Sequence, residues 1–174
     1  MPDLADKLER ADSPVFITHR RADRDSLGAA LGLLTLLGCG NVCLPSGIRK
    51  SARQLQEHTD ERIYEGHLPS EFDQAVVLDA PSTERISPIN PDTVLLIDHH
   101  EPDNLADRAD ASIIDTEAGA TAELVARLAT SAGWDIPPDA ALPLLVGLLD
   151  DTDQLRTGGS QTATVAARLF EVIG

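Results

Sequence analysis

Short apolar runs alternate with longer amphipathic stretches from one end of the chain to the other, the pattern of a parallel sheet covered by helices. Runs rich in β-branched and aliphatic residues at 14–18, 41–44, 75–78, 94–97 and 112–114 predict five strands. Apolar positions at helical spacing predict helices over 26–37, 51–59, 120–131, 139–149 and 160–173, and residues 1–10 read as a polar helical start. Gly38 and Gly40 close the first of these, Pro137 and Pro138 open the fourth, and Ser160 is placed to cap the last. The proline-containing stretch 80–91 reads as a surface loop. The expected fold is α/β: an open, mainly parallel five-stranded sheet with helices on both faces.

A chain of 174 residues suits one domain spanning 1–174. It has neither an apolar run of bilayer-spanning length nor a basic, apolar leader, so a cytoplasmic protein with no membrane partner is expected. Cys39 and Cys43 lack a second Cys or His pair at zinc-finger spacing and read as reduced and structural. The formal charge of -15, with Lys7 and Lys50 as the only lysines, disfavours a general nucleic-acid binder. It suits a very salty cytoplasm, where screening shortens the range of self-repulsion.

Three of the predicted strands run directly into acidic or histidine residues: 14–18 into His19, 75–78 into Asp79, and 94–97 into Asp98, His99 and His100. In an open parallel sheet the carboxyl ends of the strands share one edge, where the ligand crevice forms. Side chains distant in sequence are thereby brought together. His19, Asp23 and Asp25 on the first loop can face one point, and imidazole nitrogen with carboxylate oxygen suits manganese, magnesium or related ions rather than structural zinc. A single Asp at such a place is usually a helix cap, and Asp79 alone would read as a turn residue. An acid and two imidazoles straight after a core strand spend core-forming positions unless something binds them. Asp150 and Asp151, at the end of an apolar helical stretch, oppose the helix dipole unless a cation lies near.

The set His19-x-x-x-Asp23-x-Asp25-x-x-Gly28, Val77-Leu78-Asp79, Asp98-His99-His100 and Gly147-Leu148-Leu149-Asp150-Asp151-Thr152 resembles, in order and rough spacing, the four motifs of the DHH phosphoesterase superfamily. That superfamily includes RecJ exonucleases, oligoribonuclease and phosphoadenosine-phosphate phosphatases, cyclic dinucleotide phosphodiesterases and family II inorganic pyrophosphatases. The stretch 115–124 also looks like the segment following the DHH motif. The resemblance implies two divalent cations, most readily Mn2+ with Mg2+ or Co2+ as alternatives. One would be held by His19, Asp23 and Asp79, the other by Asp25, Asp79, His99 and Asp151. Two cations about 3.5 to 4 Å apart need a shared carboxylate and further anionic ligands, and they turn a water into a nucleophile at neutral pH. Asp98 would steady the motif, His100 would approach the phosphate or leaving oxygen, and Asp150 would be a cap or supporting group.

The superfamily usually carries a smaller C-terminal domain with a Gly-rich, basic phosphate clamp. Here 157–160 lacks that motif's histidine and reads as a turn. Asp153 stands where relatives commonly have Gly, and Arg20, Arg21 and Arg24 stand where they often show Asn, Pro and Gly. Guanidinium pairs with phosphate in a bidentate way, so these arginines are candidates for substrate binding, with Arg49, Lys50 and Arg53 behind them. A homodimer or partner subunit could instead supply the clamp. The function implied is hydrolysis of phosphate mono- or diesters of a nucleotide or short oligonucleotide. The alternative is a non-catalytic or partner-dependent assembly module.

Overall fold

The computed structural model describes residues 2–56, 62–89 and 91–174. Among them are the strands β1 (Pro14–Ile17), β2 (Asn41–Leu44), β3 (Ile63–Glu65), β4 (Gln74–Leu78), β5 (Val94–Asp98) and β6 (Ala109–Ile114). They form one parallel sheet in the order β3-β2-β1-β4-β5-β6. The expected architecture is present with six strands rather than five. The addition, β3, is a three-residue edge strand without an apolar run, so nothing in its pattern marks it; it is defined by pairing with β2, Cys43 opposite Tyr64. The other edge strand, β6, starts at Ala109, before the apolar run that predicted it, because Asp110 and Ser112 face solvent.

The helices are α1 (Pro2–Glu9), α2 (Arg24–Leu37), α3 (Arg53–Gln56), α4 (Thr83–Ile86), α5 (Thr121–Ala132), α6 (Pro138–Asp151) and α7 (Ser160–Ile173). Of the helix expected over 51–59, a 3-10 turn at Lys50–Ala52 and the short α3 are present, and 57–59 lie outside the described residues. The loop 80–91 contains α4. The N-cap of α7 is Gly159, which displaces Ser160 from that position into the first turn. At the end of α2, Gly38 adopts φ 71° and returns its N–H to Leu34, the left-handed termination that glycine allows.

The central strands β1, β4 and β5 are buried on both faces, and alternate residues serve two cores. Phe16, Val76, Leu78, Leu95 and Ile97 pack under a thick layer that includes α1, α2, α5, α6 and α7. Val15, Ile17, Val77 and Leu96 meet a thinner cover that includes Ala80, Ile86, Ile89 and Leu105. Within the thick layer α2 and α6 approach very closely. A Cβ on Gly28 would lie 2.3 Å from the Pro143 carbonyl oxygen, and one on Gly147 would lie 3.0 Å from Asp25 Cα. This contact brings the start of α2 against the end of α6. The chain turns from β1 outward to β2 and β3 and returns on the opposite side of β1 as β4, so the strand order reverses between β1 and β4. That reversal opens a crevice at their carboxyl ends.

Candidate metal centre

His19 follows β1, Asp79 follows β4, and His99 and His100 follow β5, so strand geometry alone delivers four polar side chains to the crevice. Asp23 and Asp25 come from the start of α2 and Asp151 from the last turn of α6. Among the described residues, three sets have candidate ligand atoms that all lie within 4.8 Å of one another: His19, Asp23 and Asp79; Asp25, His99 and Asp151; Asp79, His99 and His100. All six residues named from the sequence as metal ligands therefore converge.

Asp23 divides its two oxygens. Oδ1 accepts from Ser26 N and Ser26 Oγ, each at 3.1 Å, forming a capping box with α2, while Oδ2 lies 3.1 Å from His19 Nε2. Capping and ligation are thus compatible in one carboxylate. Asp79 leaves β4 in the left-handed region at φ 61°, an unusual conformation for a non-glycine residue that Asp tolerates better than most. Its Oδ2 lies 3.5 Å from His19 Nε2, and its Oδ1 lies 3.5 Å from His99 Nε2 and 3.4 Å from His100 Nδ1. One carboxylate therefore faces both halves of the cluster. Asp25 is fully buried, with Oδ2 accepting from Thr121 N at 2.7 Å and Oδ1 from Ala122 N at 2.8 Å, the first N–H groups of α5. Thr121 Oγ1 donates to Asp79 Oδ1 at 3.2 Å.

Hydrogen bonds fix how the imidazoles face. His19 Nδ1 donates to the Arg20 carbonyl at 2.7 Å and His99 Nδ1 to the Ala118 carbonyl at 3.3 Å, so each Nε2 turns its lone pair toward the carboxylates. The buried Nε2 of His99 lies 3.2 Å from Asp151 Oδ2 yet makes no hydrogen bond. A lone pair held against carboxylate oxygens needs a proton or a cation between them, and the donor set of imidazole nitrogen and carboxylate oxygen fits a divalent ion. The proton affinities express the same excess of negative charge. Burial, with the charges of Asp79 and Asp151, pushes the Asp25 carboxyl well above the usual carboxylate range, and burial raises Asp79. Burial would depress His99, but the carboxylates of Asp151 and Asp79 outweigh it and lift the ring to about 11. A bound cation relieves all three.

Asp98 belongs to none of the three sets. Its Oδ1 accepts from His100 N at 3.1 Å and His100 Nδ1 at 2.8 Å, leaving the half-exposed His100 ring oriented by Asp98. Of the three arginines named from sequence, Arg20 and Arg21 are exposed on the loop after β1. Arg24 is tied down: Nη1 donates to Asp150 Oδ1 at 2.8 Å and Nε to the Ser51 carbonyl at 2.8 Å. That pairing also accounts for Asp150. Arg49, placed second from sequence, is the guanidinium that reaches the cluster, with Nη1 3.2 Å from Asp23 Oδ2.

Sequence reasoning assigned no role to Thr121 or Glu123. Buried Glu123 accepts from Gly119 N at 2.9 Å and Thr162 Oγ1 at 2.8 Å, anchoring the turn that presents the N-terminus of α5. The signal in the sequence was the resemblance of 115–124 to the segment following the DHH motif, which does not say which carboxylate will meet it.

The family model described as the DHH family, N-terminal domain, matches residues 14–148. An uncharacterised protein of Methanocaldococcus jannaschii is 27% identical, with 98% of this chain and 54% of the relative covered. The bifunctional oligoribonuclease and PAP phosphatase of Thermus thermophilus is also 27% identical, with 96% of this chain and 52% of the relative covered. Among solved structures, an exopolyphosphatase-related protein of Bacteroides fragilis has the same fold, with a TM-score of 0.83 at 23% identity over 98% of this chain and 55% of that one. The chain spans about half the length of the curated relatives it matches.

Proposed function

This chain belongs to the DHH family, and from that membership we propose that it is a divalent-metal-dependent phosphoesterase acting on mono- or diesters of a nucleotide or short oligonucleotide. The observation that carries the reading is Asp79, whose two oxygens face separate imidazoles at 3.5 Å each. That division is what a carboxylate shared by two cations requires. The names of the relatives, an oligoribonuclease and PAP phosphatase among them, support the substrate class.

In this proposal His19, Asp23 and Asp79 would hold one ion, and Asp25, Asp79, His99 and Asp151 would hold the other, with Mn2+ the first candidate. When bound, the ions would supply a water acidified to near neutrality and positive charge to offset the negative charge of the phosphate. The chain's own residues do the rest. The backbone carbonyls of Arg20 and Ala118 keep the two ligating imidazoles in one tautomer, and the start of α5 holds Asp25. Asp98 grips His100 Nδ1, so Nε2 is the atom free to donate to the leaving oxygen. Arg20 and Arg21 would grip phosphate oxygens, and Arg24 would join them only by exchanging its bond to Asp150. Residues 1–174 would act as a catalytic domain, and a homodimer or a partner subunit would be one source of a further phosphate clamp. Among the described residues no helix is long and apolar enough to cross a membrane; a cytoplasmic location is part of the proposal.

The test is purified protein with Mn2+ at high salt, offered bis-p-nitrophenyl phosphate and the 5′-p-nitrophenyl ester of thymidine monophosphate. Hydrolysis that a chelator abolishes and Mn2+ restores is expected. Binding of Mn2+ without turnover, followed by activity on adding a second subunit, would favour the partner-dependent reading. No Mn2+ binding would defeat both.

A further inference from the structure

Part of the positive charge of this acidic chain lies together beside the cluster. Of 14 lysines and arginines, six lie on two short segments: Arg20, Arg21 and Arg24 after β1, and Arg49, Lys50 and Arg53 after β2. Tertiary hydrogen bonds join these segments into one ledge. Ala22 N donates to the Gly47 carbonyl at 3.0 Å and Arg49 N to the Ala22 carbonyl at 2.7 Å, with a parallel bridge between Ala22 and Ile48. Arg24 Nε reaches Ser51 O, and Arg20 N donates to the carbonyl of Arg85 on α4 at 2.6 Å, which adds a further basic residue to the border. Apart from the half-buried Arg24, these basic side chains are exposed. Over β5, β6 and the end of α6 the exposed charged residues include Glu101, Asp103, Glu117, Asp150 and Asp151. The ledge meets the cluster at Arg49, whose half-exposed guanidinium touches Asp23.

A polyanion approaching a chain with formal charge -15 is repelled along most directions, so a local basic strip decides the path by which it binds. A single phosphate seated at the cluster gains little from a strip that begins at its edge. Each further phosphate on a connected chain gains a guanidinium or ammonium partner. We infer that this ledge is a subsite for phosphates beyond the one engaged at the metal cluster, so that substrate extends from the cluster over β1 and β2 and chains of phosphates are preferred to monophosphates. The inference rests on the proposed function for the direction of the substrate, but the ledge's anion binding can be measured without turnover.

The test is fluorescence anisotropy with a 3′-fluorescein-labelled, 5′-phosphorylated adenosine trinucleotide, in Ca2+ at several salt concentrations, with AMP and linear tripolyphosphate as competitors. Wild type, the triple variant Arg49→Gln/Lys50→Gln/Arg53→Gln and the distant control Arg156→Gln/Arg168→Gln are compared. The triple variant is expected to bind the trinucleotide about tenfold more weakly, and its slope of log Kd against log salt to fall by about 1.4, as loss of contacts to the two phosphates beyond the cluster predicts for a single strand. The preference for trinucleotide over AMP should collapse, while the control keeps it. Competition by tripolyphosphate would identify the phosphate chain itself as the ligand, and its failure to compete would identify the nucleotide chain; both support the ledge. Equal losses for trinucleotide and AMP, no loss, or the same loss in the control overturn it. A protein that shows this discrimination but hydrolyses nothing refutes the phosphoesterase reading and keeps the ledge, and an active protein without the discrimination does the reverse.

Discussion

Asp79 concentrates the demands of the site in one residue: a left-handed backbone at φ 61°, burial, and contacts with three imidazoles and a hydroxyl. Replacing it by Ala is expected to remove both Mn2+ binding events in a calorimetric titration, and two intact sites in that variant would refute the ligand assignment. His100 differs, because its ring is held by Asp98 at the border of the cluster. His100→Ala should retain two Mn2+ while turnover of bis-p-nitrophenyl phosphate drops by about 10² to 10⁴-fold, the usual worth of a positioned acid. Cys43 illustrates the opposite use of burial. Its thiol donates to the His67 carbonyl at 3.2 Å, and burial pushes its pKa up to about 12. The thiolate is the reactive form, so at pH 8.5 Cys43 should resist a disulfide-exchange reagent until the protein is unfolded in urea.

At the scale of elements, the cluster depends on two helix contacts rather than on the sheet alone. The N-terminus of α5 satisfies both oxygens of Asp25, and its donors and dipole favour the charged carboxylate against the burial that disfavours it. Thr121→Val removes the hydroxyl that steadies Asp79 at constant shape. It is expected to weaken Mn2+ binding by about tenfold, a hydrogen bond to a charged group being worth about 1.5 kcal/mol at the lower end. Thr121→Ser should restore it, and an unchanged titration in the Val variant would remove Thr121 from the account. The second contact is the close crossing of α2 and α6. A methyl at Gly28 has no room against the Pro143 carbonyl, so Gly28→Ala should cost about 1–3 kcal/mol in urea unfolding, the usual range for overpacking. The shift should also separate Asp25 from Asp151 and lower Mn2+ affinity.

Across the whole molecule, one geometric fact assembles the site: the strand order reverses between β1 and β4, so the loops leaving them diverge and leave a crevice into which β5 and two helix ends project. Charge acts at the same scale. With 29 acidic against 14 basic side chains, self-repulsion opposes the compact state and salt screens it. The midpoint of thermal unfolding, measured by calorimetry, should therefore rise from 0.1 to 2 M KCl, whereas a falling midpoint would contradict the reading of this composition as an adaptation to salt.

Much of this was legible along the chain, because strand-end residues declare themselves. An apolar run that stops at an acid or histidine fixes both the element and the edge on which the side chain emerges, and His19, Asp79, His99 and His100 were located in that way. The edge strands β3 and β6 were missed or shortened because partly exposed strands need not carry an apolar run. Pairings between distant polar groups were not legible at all. That Thr121 reaches Asp79 across 42 positions, and that Arg24 is taken by Asp150 while Arg49 stands beside the cluster, are decided by packing. Local sequence sets where a side chain leaves its element, through periodicity of 2 or 3.6. Which partner it meets depends on how closely two elements approach, and that distance is set by contacts such as Gly28 against Pro143, which exist only in the folded chain.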